Sequence, residues 1–190
     1  MRLLHTSDWH LGQTLHDADR TEAHVAFLDW LGRTIAERDV DALLVTGDVF
    51  DSANPPAGAQ KLWYRFLVEA GARRNGLRIV AIAGTHDSAA RLEAPRDILS
   101  HLNVAVVGEL RREDGELDAG RLLVPLEDAS GQTRAWVAAV PYLRPTDLAG
   151  VDGSDGEAFG VDPDAARIAS VYAAAAALAR SRRQAGAAIV

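Results

Sequence analysis

The ten residues ALLVTGDVFD, positions 42–51, put the tightest limit on what this chain can fold into. Leu43, Leu44 and Val45 form an unbroken apolar run, the pattern of a strand covered on both faces as in a parallel sheet. Gly47 then permits a sharp turn, so Asp48 projects from the carboxyl end of that strand, and Asp51 follows three positions later. Open α/β sheets place their ligands at that end.

The chain on either side alternates strand and helix signals. Residues 2–5 read as a first strand, and a helix begins near Asp19 with Val25, Leu28, Leu31 and Ile35 at near-helical spacing. After Pro55 and Pro56 a second helix carries a wide apolar face of Leu62, Trp63, Phe66, Leu67 and Ala70. Residues 79–83 return as a strand that Gly84 ends. Leu92, Ile98, Leu99 and Leu102 then predict a helix broken or started near Pro95, and 104–107 a further strand. The polar stretch 111–120 reads as a loop or hairpin, with strands at 122–126 and 135–140. Residues 148–160, rich in Gly and Asp, are the expected mobile surface segment. Asp162 and Pro163 match an N-cap and first helical position, ahead of a buried stripe of Ile168, Val171, Tyr172, Ala175, Leu178 and Ala179. Arg180, Arg182 and Arg183 suit the helix C-terminus, and Gly186 closes it. Residues 187–190 resemble the opening of another buried strand, so the domain is expected to continue beyond Val190.

Composition removes several classes. With 48% apolar and 25% charged residues the chain is an ordinary globular sequence. It has no cysteine, which rules out disulfides and thiolate metal sites. No apolar run approaches the roughly 20 residues that span a bilayer. The opening MRLLHTSDWH reaches charge too early for a signal peptide, so a cytoplasmic protein without a membrane partner is expected. A net charge of −7 argues against broad attraction to a polyanion. A metal site is itself rich in carboxylate, however, and its ions supply positive charge locally, so a nucleic-acid substrate is compatible.

Three polar constellations fall at the predicted strand ends: Asp8-Trp9-His10, Gly47-Asp48-Val49-Phe50-Asp51 and Gly84-Thr85-His86-Asp87. In a parallel sheet such loops converge on one edge. Each alone is compatible with a capped turn, GDVFD with a type I turn and Asx hydrogen bonds. Their recurrence at successive strand ends is not explained that way. Mixed carboxylate and imidazole ligands suit Mn, Fe or Zn better than Ca. One Asp shared by two metals about 3.5 to 4 Å apart would polarise a phosphoryl group and activate a water for in-line attack.

The order D-x-H, GD-x-x-D, G-T-H-D resembles the calcineurin-like metallophosphoesterases, whose third motif is GNHD. The fuller strings HTSDWHLGQ, TGDVFDSANPP, AGTHDSAARLEAP and VPYLRP are similar to the SbcD branch of the Mre11 nucleases. The resemblance implies an α/β sandwich of mixed β-sheets flanked by helices, of which residues 1–190 are the N-terminal part, truncated before its last strands and with no second domain. It implies that Asp8 and His10 hold a first metal and that Asp48 bridges two, most often Mn²⁺. His86 would contact the scissile phosphate and assist proton transfer, Asp87 would orient its ring, and Asp51 would fix the loop behind the ligands. It implies a bacterial DNA exonuclease and endonuclease, active in repair, recombination and replication, that partners an SbcC/Rad50-like ABC ATPase. A homodimer through the helical stretches 62–70 (Leu62, Ala70) and 91–102 (Arg91, Leu102) is implied too, although the apolar face of the first stretch is equally suited to packing on the sheet.

Two departures follow from the same comparison. Thr85 stands where the family has a metal-ligating asparagine, and a hydroxyl reaches less far than a carboxamide, so a weakened second metal site is expected. The GH and GHxH histidines that complete the family site have no counterpart in His5, His16, His24 or His101. His5 is expected to pack within the first strand, His24 and His101 to be surface or half-buried helix residues, and His16 to face the DNA path. A phosphoesterase acting on a small phosphodiester or nucleotide, and a catalytically impaired dimerisation scaffold, are the alternatives to a nuclease.

Overall fold

The computed structural model describes residues 1–16, 18–152, 162–183 and 186–190. They form two compact units, 1–108 and 109–190. In the first, β1 (Leu3–Thr6) leads through a small hairpin of β2 (Thr14–Leu15) and β3 (Ala18–Asp19) to α1 (Thr21–Glu37), followed by β4 (Ala42–Thr46) and α2 (Ala57–Arg73). Then come β5 (Arg78–Ile82), two short helices α3 (Ala89–Glu93) and α4 (Arg96–Ser100), and β6 (Val104–Val107). The four long strands pair in parallel in the order β1-β4-β5-β6.

Strand alternation explains the core of this unit. Leu43 and Val45 of β4, Ile79 and Ala81 of β5 and Val104 and Val106 of β6 share one face and join Leu28, Leu31 and Ile35 of α1 in a single cluster. Leu62, Trp63, Phe66, Leu67 and Ala70 of α2 complete it. The apolar face of α2 therefore packs within its own unit, and the dimer reading of those five side chains is corrected. Arg73 of α2 ties the two helices by reaching the Asp29 carboxylate of α1 at 2.8 Å. Pro95 separates α3 from α4, as the sequence predicts, and leaves Ile98 72% exposed.

The two edge and helix histidines depart from expectation. His5 does not pack: β1 is the sheet edge, so its ring is exposed and meets Thr46 Oγ1 at 2.7 Å. His24 is buried rather than half-exposed, because it falls four, seven and eleven residues before Leu28, Leu31 and Ile35 on the inner stripe of α1. His101 and His16 are exposed, as expected.

The second unit begins with the hairpin β7 (Arg112–Glu113) and β8 (Glu116–Leu117), then a 3₁₀ turn over Ala119–Leu122. Strands β9 (Leu123–Glu127) and β10 (Thr133–Ala138) pair antiparallel, and β11 (Ala188–Ile189) adds to β10 in parallel. Between them lies α5 (Pro163–Arg182), whose Asp162 carboxylate accepts from the amides of Asp164 and Ala165. Its fully buried stripe is Ala166, Val171, Ala175 and Ala179; Tyr172, expected within it, lies one position round the helix and is exposed. Residues 187–190 do open a strand, but it pairs on one side only, and Ile189 and Val190 are exposed rather than buried. Most of the expected mobile segment, residues 153–161, lies outside the described residues. With parallel and antiparallel sheets flanked by helices, the architecture is the expected mixed α/β one. Among the described residues no helix is long and apolar enough to cross a membrane.

Candidate metal centre

The loops after β1 and β4 are built alike, each holding its polar residues out by burying the residues between them. Trp9, between Asp8 and His10, sinks into the core, meeting Phe27, Trp63 and Phe66 edge-on at 5.8, 5.6 and 5.2 Å, and its indole N–H donates to Thr6 Oγ1 at 3.1 Å. Val49 and Phe50, between Asp48 and Asp51, are buried in the same cluster. Parallel pairing also continues past the strand ends. The amides of Asp8, His10 and Leu11 donate to the carbonyls of Gly47, Asp48 and Val49, and the Asp51 amide returns to Leu11 O. The first two motifs are thus held in register by backbone bonds.

The third motif is fastened to the second by a buried carboxylate. Asp87, 0% exposed, accepts the amides of Val49, Phe50 and Gly84 at 3.2, 2.9 and 2.9 Å. Two glycines let the loops close. Gly47 has φ +95°, and a Cβ on it would stand 2.9 Å from Gly84 Cα, while a Cβ on Gly84 would overlap the Asp48 backbone nitrogen and carboxylate. The Asp48 carboxylate consequently lies at the centre, accepting from the His86 amide at 2.9 Å and from the Thr85 hydroxyl at 3.1 and 3.3 Å.

Ligand-type atoms of Asp8, His10 and Asp48 all lie within 4.8 Å of one another, and so do those of His10, Asp51 and His86. The His10 and His86 rings meet edge to face at 4.9 Å. His10 Nε2 is 3.9 Å from Asp8 Oδ1, and its Nδ1 is 3.4 Å from Asp51 Oδ1. That Nδ1 is buried and has no hydrogen-bond partner. Asp8, His10 and Asp48 also occupy left-handed backbone conformations, with φ of 57°, 46° and 48°. This is a costly choice for three non-glycine residues in one place unless the surroundings impose it. A convergent carboxylate, imidazole and carboxylate set, with an orphaned ring nitrogen beside it, fits a divalent transition metal.

His86 is exposed, and its position in the site is set from Asp51. Since a carbonyl can only accept, the 2.9 Å contact between His86 Nδ1 and Asp51 O places a proton on Nδ1 and leaves Nε2 outward. That carbonyl, followed by the charges of Asp48, Asp51 and Asp87, raises the ring's pKa above its ordinary value. Every residue singled out in the three motifs therefore falls in this one cluster of loops. Sequence reading missed Trp9 as an anchor, Ser7, whose hydroxyl donates to the Asp8 carboxylate, and His24, whose ring interacts electrostatically with His10 and Asp51. An aromatic between two ligand-type residues was the available signal for Trp9.

Comparison with known proteins agrees with this geometry. A family model described as calcineurin-like phosphoesterase matches residues 1–163. The SbcD component of the SbcCD nuclease of Rhodobacter capsulatus is 50% identical over 151 residues, which cover 80% of this chain and 37% of that protein. The SbcD protein of Escherichia coli K12 is 42% identical over 157 residues, covering 80% of this chain and 36% of its own. That of Bacillus subtilis is 38% identical over 126 residues, covering 65% and 32%. The chain thus spans little more than a third of the length of these relatives. Three glycine-shaped loops that bring Asp8, His10, Asp48 and His86 to one sheet edge, within a match that takes in residues 1–163, make this chain a member of the calcineurin-like phosphoesterase family.

Proposed function

We propose that the chain is the N-terminal part of one metal-dependent DNA nuclease domain that hydrolyses phosphodiester bonds in DNA end processing, repair and recombination. The observation that carries the reading is the Asp8, His10 and Asp48 cluster beside an exposed His86 whose Nε2 is free to face a substrate. The relatives' shared name, that of the SbcD component of the SbcCD nuclease, supports DNA as the substrate and SbcC, an ABC-type ATPase of the Rad50 kind, as the partner.

In this reading Asp8 and His10 hold one divalent ion, Mn²⁺, with Asp48 turned toward it and toward a second position that Thr85 serves poorly. The ions supply the positive charge that polarises a phosphodiester and activates a water. His86, its pKa raised, holds a proton for the leaving oxygen. Asp87 acts through the backbone by fixing the His86 loop against the Asp48 loop. A two-fold dimer would use the exposed apolar residues on the same helical stretches, Tyr64, Val68, Ile98 and Leu102, rather than the buried face of α2. The protein would work in the bacterial cytoplasm, where the DNA is.

The test compares Mn²⁺-dependent cleavage of linear duplex DNA with cleavage of bis-p-nitrophenyl phosphate, using the chain extended to the length of its relatives. Cleavage of both, lost in Asp48→Ala, is the expected result. Activity on the small ester alone would overturn the nuclease reading and favour a small-phosphodiester enzyme, which the net charge of −7 accommodates. Absence of Mn²⁺ binding by calorimetry would favour a dimerisation scaffold.

A further inference from the structure

We propose that Asp51 is a positioning residue that sets the tautomers of both imidazoles in the site, His10 through its carboxylate and His86 through its backbone carbonyl. The inference deepens the metallophosphoesterase reading of the site, but its first test does not depend on it.

The geometry is asymmetric in a useful way. On the His86 side the contact is with main chain, Nδ1 to Asp51 O at 2.9 Å, so a proton on His86 Nδ1 is required whatever side chain stands at position 51. On the His10 side the nearest acceptor to the buried, unpartnered Nδ1 is Asp51 Oδ1, 3.4 Å away. A neutral imidazole carries one N–H, and a buried N–H without an acceptor is costly. A carboxylate at that distance, needing only a small ring rotation to close a bond, favours the Nδ1–H form. In that form the His10 lone pair is on Nε2, the nitrogen that lies 3.9 Å from Asp8 Oδ1 and faces the carboxylate cluster. A metal-ligating histidine whose other nitrogen donates to a carboxylate is a more basic and better oriented ligand.

The backbone keeps Asp51 in place for both tasks. Its own amide is bound to Leu11 O, next to His10, and the amides of Val49 and Phe50 just before it are gripped by the Asp87 carboxylate, next to His86. Position 51 is therefore fixed from both histidine loops at once.

Long-range ¹H–¹⁵N correlation spectra of the metal-free protein at alkaline pH read the tautomers directly, with His10→Gln and His86→Gln assigning the signals. Nδ1–H forms are expected at both rings. In Asp51→Ala the His86 ring should keep its form while His10 shifts toward a mixture, and Mn²⁺ affinity measured by calorimetry should fall about tenfold. Asp51→Asn, whose amide oxygen can still accept from Nδ1–H, should restore most of the His10 signal. Finding His10 in the Nε2–H form in the unaltered protein would overturn the proposal, because Nδ1 would then be a lone pair and Asp51 a neighbouring ligand. An unchanged His10 tautomer in Asp51→Ala would overturn it, and so would an equal change at both rings, which would indicate collapse of the loop. Failure of the nuclease reading would leave these spectra unaffected, so the two are separable.

Discussion

Asp87 holds three buried backbone amides from two loops, and Asp87→Ala should cost more than any exposed change in the site. The substitution strips acceptors from Val49, Phe50 and Gly84, at 3.2, 2.9 and 2.9 Å, and nothing else in the loops is positioned to replace them all. Each buried donor left without a partner costs about 1–3 kcal/mol. The Gly84 amide is only partly buried and regains water, and the losses are coupled, so the total is about 3–5 kcal/mol. For a protein of this size that lowers Tm by about 10 °C. Asp87→Asn keeps one acceptor oxygen but turns an N–H₂ toward amide donors, and should lose about half as much. Urea unfolding followed by circular dichroism in EDTA measures both without any contribution from metal. A loss below about 1 kcal/mol for Asp87→Ala, or an Asn variant as stable as the parent, would refute the idea that this carboxylate ties the loops.

Other outcomes follow from the same contacts. Gly84→Ala forces a Cβ into the Asp48 backbone and carboxylate, so Mn²⁺ binding by calorimetry should drop below detection even if the protein still folds. Thr85→Asn replaces a hydroxyl that donates to Asp48 with a carboxamide oxygen that reaches further, and should strengthen binding of a second Mn²⁺ and raise activity in the extended chain. His24 has its pKa held below the ordinary 6.5 by burial and then by Arg20, so the folded state resists its protonation. Stability it supports is present above pH 6.5 and lost as pH falls through the lower folded value; His24→Gln should flatten the acid limb of unfolding midpoint against pH. Asp8→Gly removes a left-handed non-glycine residue and one of two adjacent carboxylates. Without metal it should be as stable as the parent or up to about 1 kcal/mol more so by urea unfolding, while losing Mn²⁺ affinity.

Much of the site was legible because its chemistry is written in consecutive residues. The run of Leu43 to Val45 gave the buried parallel strand, Gly47 the turn, and three polar motifs at three strand ends gave one convergent edge. What was not legible depends on direction or on distant neighbours. The sequence does not say that the Asp87 carboxylate turns back to amides 37 and 38 residues earlier, or that the carbonyl of Asp51 rather than its side chain meets His86. His5 and His24 show the same limit: both were placed in the right elements, but β1 proved to be an edge and the inner stripe of α1 extended one turn further toward its N-terminus. Tyr172 failed because an alanine-rich helix has no strong apolar contrast to fix its inner face.

The placement of strain explains why the bland residues of the motifs matter as much as the ligands. Asp8, His10 and Asp48 each occupy a backbone conformation that L-residues avoid, at a cost of order 1 kcal/mol or more apiece. Metal-free, Asp8 and Asp48 also bring two carboxylates together. Nothing in the three residues themselves favours this arrangement. It persists because Trp9 is locked among three aromatic rings, Val49 and Phe50 are sunk in the core, and Asp87 grips the loop that carries Asp48. The ligand geometry is therefore imposed by the fold before a metal arrives, and binding energy need not be diverted into shaping the site. Substitutions at the anchors should then lower stability and metal affinity together, whereas substitutions at the ligands should separate the two.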